Sequence, residues 1–321
     1  VFDLGLGCMG MSGMYGSADE DESIATIHAA IDRGINLLDT GDFYGMGHNE
    51  LLIGEALRGA RRDQALVSVK FGAQRGPDGA WLGYDASPRA LKAALAYSLK
   101  RLGTDHVDVY RPARVDPKVP IEETVGAIAE LIQAGYVRHL GLSEASADTV
   151  ARAHAVHPVV DLQIEYSLVS RGIEDDILPS LRTLGVGVTA YGVLSRGLLS
   201  ERAAEVPARG GFRANLPRFT GENLQRNLAL VEALREIAWD RKITVPQLAI
   251  AWALSRGDDI VPLVGARSRT RLAEALGALD VVLREEDVAR LERAVPPGAV
   301  AGDRYMPAQM AMLDSERVVV R

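Results

Sequence analysis

Apolar positions along the chain fall into two alternating spacings. Short runs that read as buried strands (Val1 to Gly7, Ile35 to Asp39, Ala65 to Phe71, His106 to Tyr110, Val137 to Ser143, Val159 to Tyr166, Val186 to Tyr191, Ile260 to Val264) are separated by segments with apolar residues at helical spacing. The first such segment, Asp21 to Arg33, carries acidic residues in its first turn, Ile24, Ile27 and Ile31 on one face, and Gly34 as a stop. Ser87-Pro88 opens another, with proline at the first helical position, and Leu91, Leu95 and Leu99 carry it to Gly103. The same spacing predicts helices over Asn49 to Arg58, Pro120 to Ala134, Ala147 to Val156, Asp175 to Leu184, Asn223 to Trp239, Pro246 to Ser255, Ser268 to Leu279 and Glu285 to Val295.

Counted from Val1, this gives eight strand-then-helix units. Strands that alternate with helices demand a parallel sheet, and eight units suit a closed (β/α)8 TIM barrel better than an open doubly wound sheet. The expectation is one α/β barrel domain over residues 1–321, with an extra C-terminal helix and long loops at the C-terminal rim. The chain starts inside an apparent strand and without methionine, so further residues are expected upstream of Val1. After Tyr191 the rhythm breaks: the Ser195 to Thr220 segment is too long for an ordinary connection and reads as a lid or binding loop.

Composition narrows the partners. With 47% hydrophobic and 25% charged residues the balance is that of a soluble globular protein. A formal net charge of −7 argues against a nucleic-acid partner, while leaving room for a local basic pocket. The single cysteine, Cys8, excludes an internal disulfide and fits a reducing compartment. No apolar run reaches bilayer length and the N-terminus lacks a signal-peptide pattern, so a cytoplasmic location without a membrane partner is expected. Oligomeric state is left open.

In such a barrel the side chains at the C-terminal strand ends build the active site. Those ends hold Gly7, Cys8 and Met9; Asp39, with Asp42 and Tyr44 in the loop that follows; Lys70; Tyr110 to Arg114; Ser143-Glu144; Gln163 to Tyr166; Tyr191 onward; and Gly265 to Arg267. Free tyrosine titrates near pH ~10, and a neighbouring lysine cation lowers that value by favouring phenolate. An acid such as Asp39 would hold Lys70 charged and in place. The trio Asp39, Tyr44 and Lys70 is thus a candidate proton donor and acceptor for a carbonyl oxygen. Arg267, Arg269 and Arg271 cluster at a helix start, where guanidinium and backbone N–H groups together favour a phosphate.

Other patterns carry less. Gly5-Leu6-Gly7-Cys8-Met9-Gly10 formally matches a dinucleotide glycine fingerprint, but Met11 to Gly16 reads as loop where that motif needs a helix. Gly141-Leu142-Ser143-Glu144-Ala145 lacks the final glycine of a nucleophile elbow. The six histidines show no metal-ligand pairing, so no metal is expected.

Taken in order along nearly the whole chain, several motifs resemble those of the aldo-keto reductases. They are Leu6 to Gly13, Asp39-Thr40-Gly41-Asp42-Phe43-Tyr44-Gly45, the strand-terminal Lys70, Gly141-Leu142-Ser143, Gln163 to Ser167, Tyr191 to Leu199 and Val261 to Ala266. The resemblance is nearest to the bacterial and plant branch that reduces assorted aldehydes and ketones. It implies hydride transfer from NADPH to a small-molecule carbonyl, with Tyr44 protonating the oxygen, Lys70 lowering the tyrosine pKa and Asp39 anchoring the lysine. By position it assigns Ser143 and Gln163 to the nicotinamide carboxamide and Tyr191 to a stack on the nicotinamide ring. It lays Val193, Leu194, Ser195, Arg196, Gly197 and Leu198 over the pyrophosphate, and Arg267, Ser268, Arg271 and Glu274 around the 2′-phosphate and adenine. Gly7, Cys8, Met9 and Gly265 join that cofactor face, and Met14, His48 and Ala113 the substrate pocket.

Two positions depart from the family pattern. Where the family carries a histidine in a Tyr-x-x-His-Arg context, Tyr110-Arg111-Pro112-Ala113-Arg114 has alanine, as in pyridoxal reductase-like members that also lack it. The group that orients the carbonyl and donates to its oxygen is therefore missing from its usual place. This motivates a rival expectation, an NADPH-binding sensor or regulatory barrel with little turnover. Ala275 replaces an asparagine that often contacts adenine.

Overall fold

A computed structural model describes residues 1–317. Their strands run β1 (Gly5–Gly7), β2 (Leu37–Gly41), β3 (Leu66–Phe71), a two-stranded hairpin of β4 (Ala73–Arg75) and β5 (Trp81–Tyr84), then β6 (Val107–Pro112), β7 (Val137–Ser143), β8 (Val159–Glu165), β9 (Gly187–Tyr191) and β10 (Ile260–Val264). Leaving out the hairpin, eight parallel strands close in the order β1-β10-β9-β8-β7-β6-β3-β2, a (β/α)8 barrel. Around it stand α1 (Glu20–Asp32), α2 (His48–Ala56), α3 (Pro88–Leu102), α4 (Ile121–Gln133), α5 (Ala147–Val156), α6 (Ile177–Leu184), α7 (Gly221–Asp240), α8 (Val245–Leu254) and α9 (Arg269–Leu276), with α10 (Glu285–Ala294) beyond the last unit. No helix is long and apolar enough to cross a membrane among the described residues.

Local chemistry sets these boundaries. The helix α1 starts where Asp19 accepts from Glu22 N–H and stops near Gly34, whose φ of +95° suits glycine. Ser87 caps α3, and Gly103 ends it in the left-handed region. Thr244 and Gln247 form a reciprocal capping box on α8, whose inner face buries Trp252 completely.

The structure departs from the sequence pattern in three places. β1 begins only at Gly5, since Val1 to Leu4 find no strand partner and Phe2 N–H is instead satisfied by the Asn36 side chain. The β4–β5 hairpin lies inside what reads as a loop, its alternation too short to register. The Ser195 to Thr220 segment is a chain of 3-10 turns rather than a free lid. Leu198, Leu199, Val206, Leu216 and Phe219 bury their side chains and fix it to the barrel.

Candidate active site

Barrel register brings the candidate residues to one end. Gly41 lies level with Lys70, and Lys70 with Arg111; across the barrel, Ser143 is level with Gln163 and Glu165 with Tyr191. Lys70 Nζ donates to both carboxylate oxygens of Asp39. Gln163 Nε2 reaches the same carboxylate, 3.0 Å from Oδ1 and 2.8 Å from Oδ2. All three side chains are buried. Tyr44 opens a 3-10 turn after β2, and its ring centroid lies 5.0 Å from Lys70 Nζ. That turn needs positive φ at Gly45 and Gly47; a Cβ on Gly47 would come within 2.8 Å of Arg101 Cδ. Arg101 is itself held by the buried Glu50, so the loop that presents Tyr44 is clamped from behind.

Electrostatics in this cluster differ from the sequence expectation. Burial pushes the Lys70 ammonium below its usual range although Asp39 pulls the other way, and Arg111 and Arg114 add to the downward push. Burial raises the Tyr44 phenol well above its ordinary value, the Asp39 carboxylate raises it further, and Arg114 is the opposing cation. Burial is thus the largest influence on the phenol and outweighs the cation opposing it. Lys70 and Asp39 together form a nearly neutral unit, and a half-buried phenol is penalised for ionising.

Several other residues land away from the expected contacts. Asp42 follows the end of β2 but turns toward Gly72 N–H, 3.4 Å away, and burial followed by Glu50 pushes it up to about 7. His48 has a partner at each ring nitrogen, 2.9 Å from Ser12 Oγ and 2.9 Å from Glu20 Oε1. The Cys8 thiol points inward to Leu6 O and burial raises its pKa; its N–H donates to Asp39 O, and its carbonyl accepts from Met11 N–H and Asn49 Nδ2. Met9 and Met14 are half-buried, and it is Tyr15 that packs against Arg213, 5.0 Å from ring centroid to guanidinium. Ala113 is buried at the end of β6, its N–H donating to Phe71 O at 2.8 Å.

The residues assigned to a cofactor form a coherent donor set. Ser143 Oγ lies 3.4 Å from Arg114 Nη1, which leaves its hydroxyl hydrogen to donate, while Gln163 commits its amide nitrogen to Asp39 and keeps its carbonyl oxygen as acceptor. Adjacent in register, one donor and one acceptor match the oxygen and nitrogen of a carboxamide. Gly192, Ser195, Arg196 and Gly197 all have positive φ, and a Cβ on Gly192 would meet Glu165 Cγ at 3.0 Å. Val193 and Leu198 bury their side chains, so the loop over the barrel mouth offers backbone. At the start of α9, Ser268 accepts from Arg271 N–H. Arg267 donates to the carbonyls of Tyr15, Gly16 and Ser17 at 3.1–3.3 Å, keeping an unneutralised charge, whereas Arg271 pairs with Glu274 at 2.6 Å and Arg269 with Glu22 at 2.9 Å. Gly265 stands clear, with only Gly7 O at 4.0 Å from its Cβ position. The set fits a nicotinamide dinucleotide with a phosphate at α9.

A buried charged network behind the site has no counterpart in the sequence reading. Glu144 receives Arg304 at 2.8 and 2.5 Å, Ser315 Oγ at 2.7 Å and Tyr191 OH at 2.6 Å. Glu165 is held by Arg196 at 2.8 Å and by Arg218 at 3.3 Å. Tyr305 places its hydroxyl 2.9 Å from that of Tyr191, under the Arg196 guanidinium at 4.3 Å from its ring centroid. The tail after Val300 thereby closes over the mouth. Glu144 and Glu165 stand at strand ends in the sequence, and a buried acid there signals a cation partner; nothing local points to Arg304.

A family model described as the aldo/keto reductase family matches residues 3–296. Among curated proteins, the probable aldo-keto reductase 1 of Glycine max is 42% identical over 310 residues, covering 95% of this chain and 88% of that protein. Among solved structures, a glycerol dehydrogenase from Gluconobacter oxydans superposes with a TM-score of 0.80 at 30% identity, over 92% of this chain and 93% of the other. An aldo/keto reductase from Klebsiella pneumoniae in complex with NADP and acetate does so with a TM-score of 0.73 at 28% identity, over 95% and 94%.

Proposed function

For a chain that belongs to the aldo/keto reductase family, and is therefore a nicotinamide-dependent oxidoreductase, we propose the reduction of an aldehyde or ketone to an alcohol with NADPH, Tyr44 giving the proton. The observation that carries this reading is the buried Asp39–Lys70 pair beside the Tyr44 ring. The cofactor, when bound, supplies the hydride. Ser143 and Gln163 would hold its carboxamide, the Tyr191 ring would stack on it, and Arg267 at the start of α9 would favour NADPH by meeting a 2′-phosphate.

The chain's own chemistry follows from burial. A phenol raised above its ordinary pKa stays protonated at neutral pH, so Tyr44 is loaded as a donor before the carbonyl arrives. Its proton moves when negative charge builds on the carbonyl oxygen, a stronger base than phenolate. Lys70, fixed by Asp39, whose carboxylate Gln163 holds in turn, then lies beside the phenolate it must tolerate.

The test is NADPH oxidation with a panel of aldehydes, ketones and pyridoxal, comparing wild type with Tyr44→Phe. A fall in kcat of about 10²–10⁴-fold with NADPH affinity kept supports the reading. Tight NADPH binding without Tyr44-dependent turnover of any carbonyl would favour the sensor that Ala113 suggests.

A further inference from the structure

Arg114 follows Ala113 directly beyond β6 and folds back over it. Its Nη1 donates to Ala113 O at 2.6 Å and lies 3.4 Å from Ser143 Oγ; its Nη2 is 3.4 Å from Tyr305 OH. The guanidinium thus stands at the end of β6, between the strand that carries Lys70 and the one that carries Ser143, against the Ala113 carbonyl, the Ser143 hydroxyl and Tyr305. Among the described residues no carboxylate lies within ion-pairing distance of it, and the neighbouring Glu144 is already taken by Arg304. Arg114 is a half-buried cation whose charge faces the phenols of Tyr44, Tyr84, Tyr191 and Tyr305. Burial works against this cation, while the phenols and the Glu144 carboxylate beyond ion-pairing distance keep it charged, and a cation held without a direct ion pair suits a site where negative charge appears during the reaction.

We propose that Arg114 replaces the imidazole absent at Ala113: its guanidinium donates to the carbonyl oxygen of the substrate, orients it toward Tyr44 and stabilises the charge that builds on it. This rests on the reading of Tyr44 as proton donor. The electron pair of the hydride forms the new C–H bond and NADPH is oxidised to NADP+; the carbonyl π pair moves to oxygen and takes the Tyr44 proton. Arg114 keeps its own protons throughout.

The experiment measures NADPH-dependent reduction of neutral 4-nitrobenzaldehyde and anionic 4-carboxybenzaldehyde by wild type, Arg114→Ala, Arg114→Lys and Tyr44→Phe, with NADPH binding followed by protein fluorescence. Arg114→Ala should lose about 10²–10³-fold in kcat on both aldehydes while NADPH binding is unchanged. Arg114→Lys should retain part of the rate, since a point charge reproduces the field but not the two-pronged geometry. Added guanidinium ion should restore turnover to Arg114→Ala and not to Tyr44→Phe, a rescue that a merely structural role would not give. A neutral-aldehyde kcat within threefold of wild type in Arg114→Ala, or a loss confined to the KM of the anionic aldehyde, would overturn the proposal; the second result would make Arg114 an anion reader. If Arg114→Ala does not fold, an unchanged kcat in Arg114→Lys overturns it equally. Wild-type turnover that survives Tyr44→Phe would instead overturn the reading of Tyr44.

Discussion

Replacing Arg304 by methionine keeps most of the aliphatic bulk and removes only the charge that secures the tail. Arg304 meets the fully buried Glu144 with two nitrogens and also reaches Glu316 at 2.7 Å. Burial alone would raise the Glu144 carboxyl, but Arg304 overrides it and holds the group at about 2 against an ordinary 4.5. That depression corresponds to about 3 kcal/mol of stability, and breaking a buried pair from one side costs about 3–5 kcal/mol. Because the folded pKa is lowered, this contribution is present above pH 4.5 and is lost as pH falls toward 2. Denaturant unfolding at pH 7 should therefore show Arg304→Met destabilised by about 3–5 kcal/mol, with the deficit shrinking on acidification. Asp314 also binds Ser146, and Asn227 binds Ala301, so the tail has other anchors. Limited proteolysis should cut the variant first between residues 300 and 317. A deficit of the same size at pH 4 and pH 7 would refute the electrostatic reasoning and leave packing as the cause; no deficit at either pH would refute the pair's role altogether.

Two further outcomes follow from the charges near the rim. Arg267→Ala should weaken NADPH by about 10-fold or more while sparing NADH, because only NADPH presents a 2′-phosphate to a guanidinium bound otherwise to neutral carbonyls; equal loss for both coenzymes in fluorescence titrations would reassign the cluster. Asp42 has its folded pKa raised from 3.8 to about 7, so its contribution is full below 3.8 and is lost as pH rises through 7. Asp42→Asn should accordingly raise the urea midpoint at pH 8 by an amount worth about 2–4 kcal/mol and leave it unchanged near pH 3; a midpoint unmoved at pH 8 would show that Asp42 is not held against its charge.

The chain by itself determined the architecture and the trio. Strand and helix spacing, caps such as Ser87-Pro88, and stops such as Gly34 and Gly103 are local signals, and local signals are written in consecutive residues. Asp39, Tyr44 and Lys70 stood out because strand ends in a barrel share one rim, so their meeting follows from topology alone. Their electrostatics did not: how far the phenol is raised depends on burial, and the contact of Lys70 with Asp39 on distance, both set by packing. The direction in which Asp42 and His48 point was likewise hidden, since such residues can face either way and their partners, Gly72, Ser12 and Glu20, belong to other elements. Only the tertiary structure brought Arg304 and Tyr305 some 160 and 114 positions back to Glu144 and Tyr191. The same packing brings Tyr305 within 3.4 Å of Arg114, the residue next to the alanine where an imidazole was expected. Periodicity records which face of an element is buried; the partner of a buried charge is recorded nowhere but in the packing.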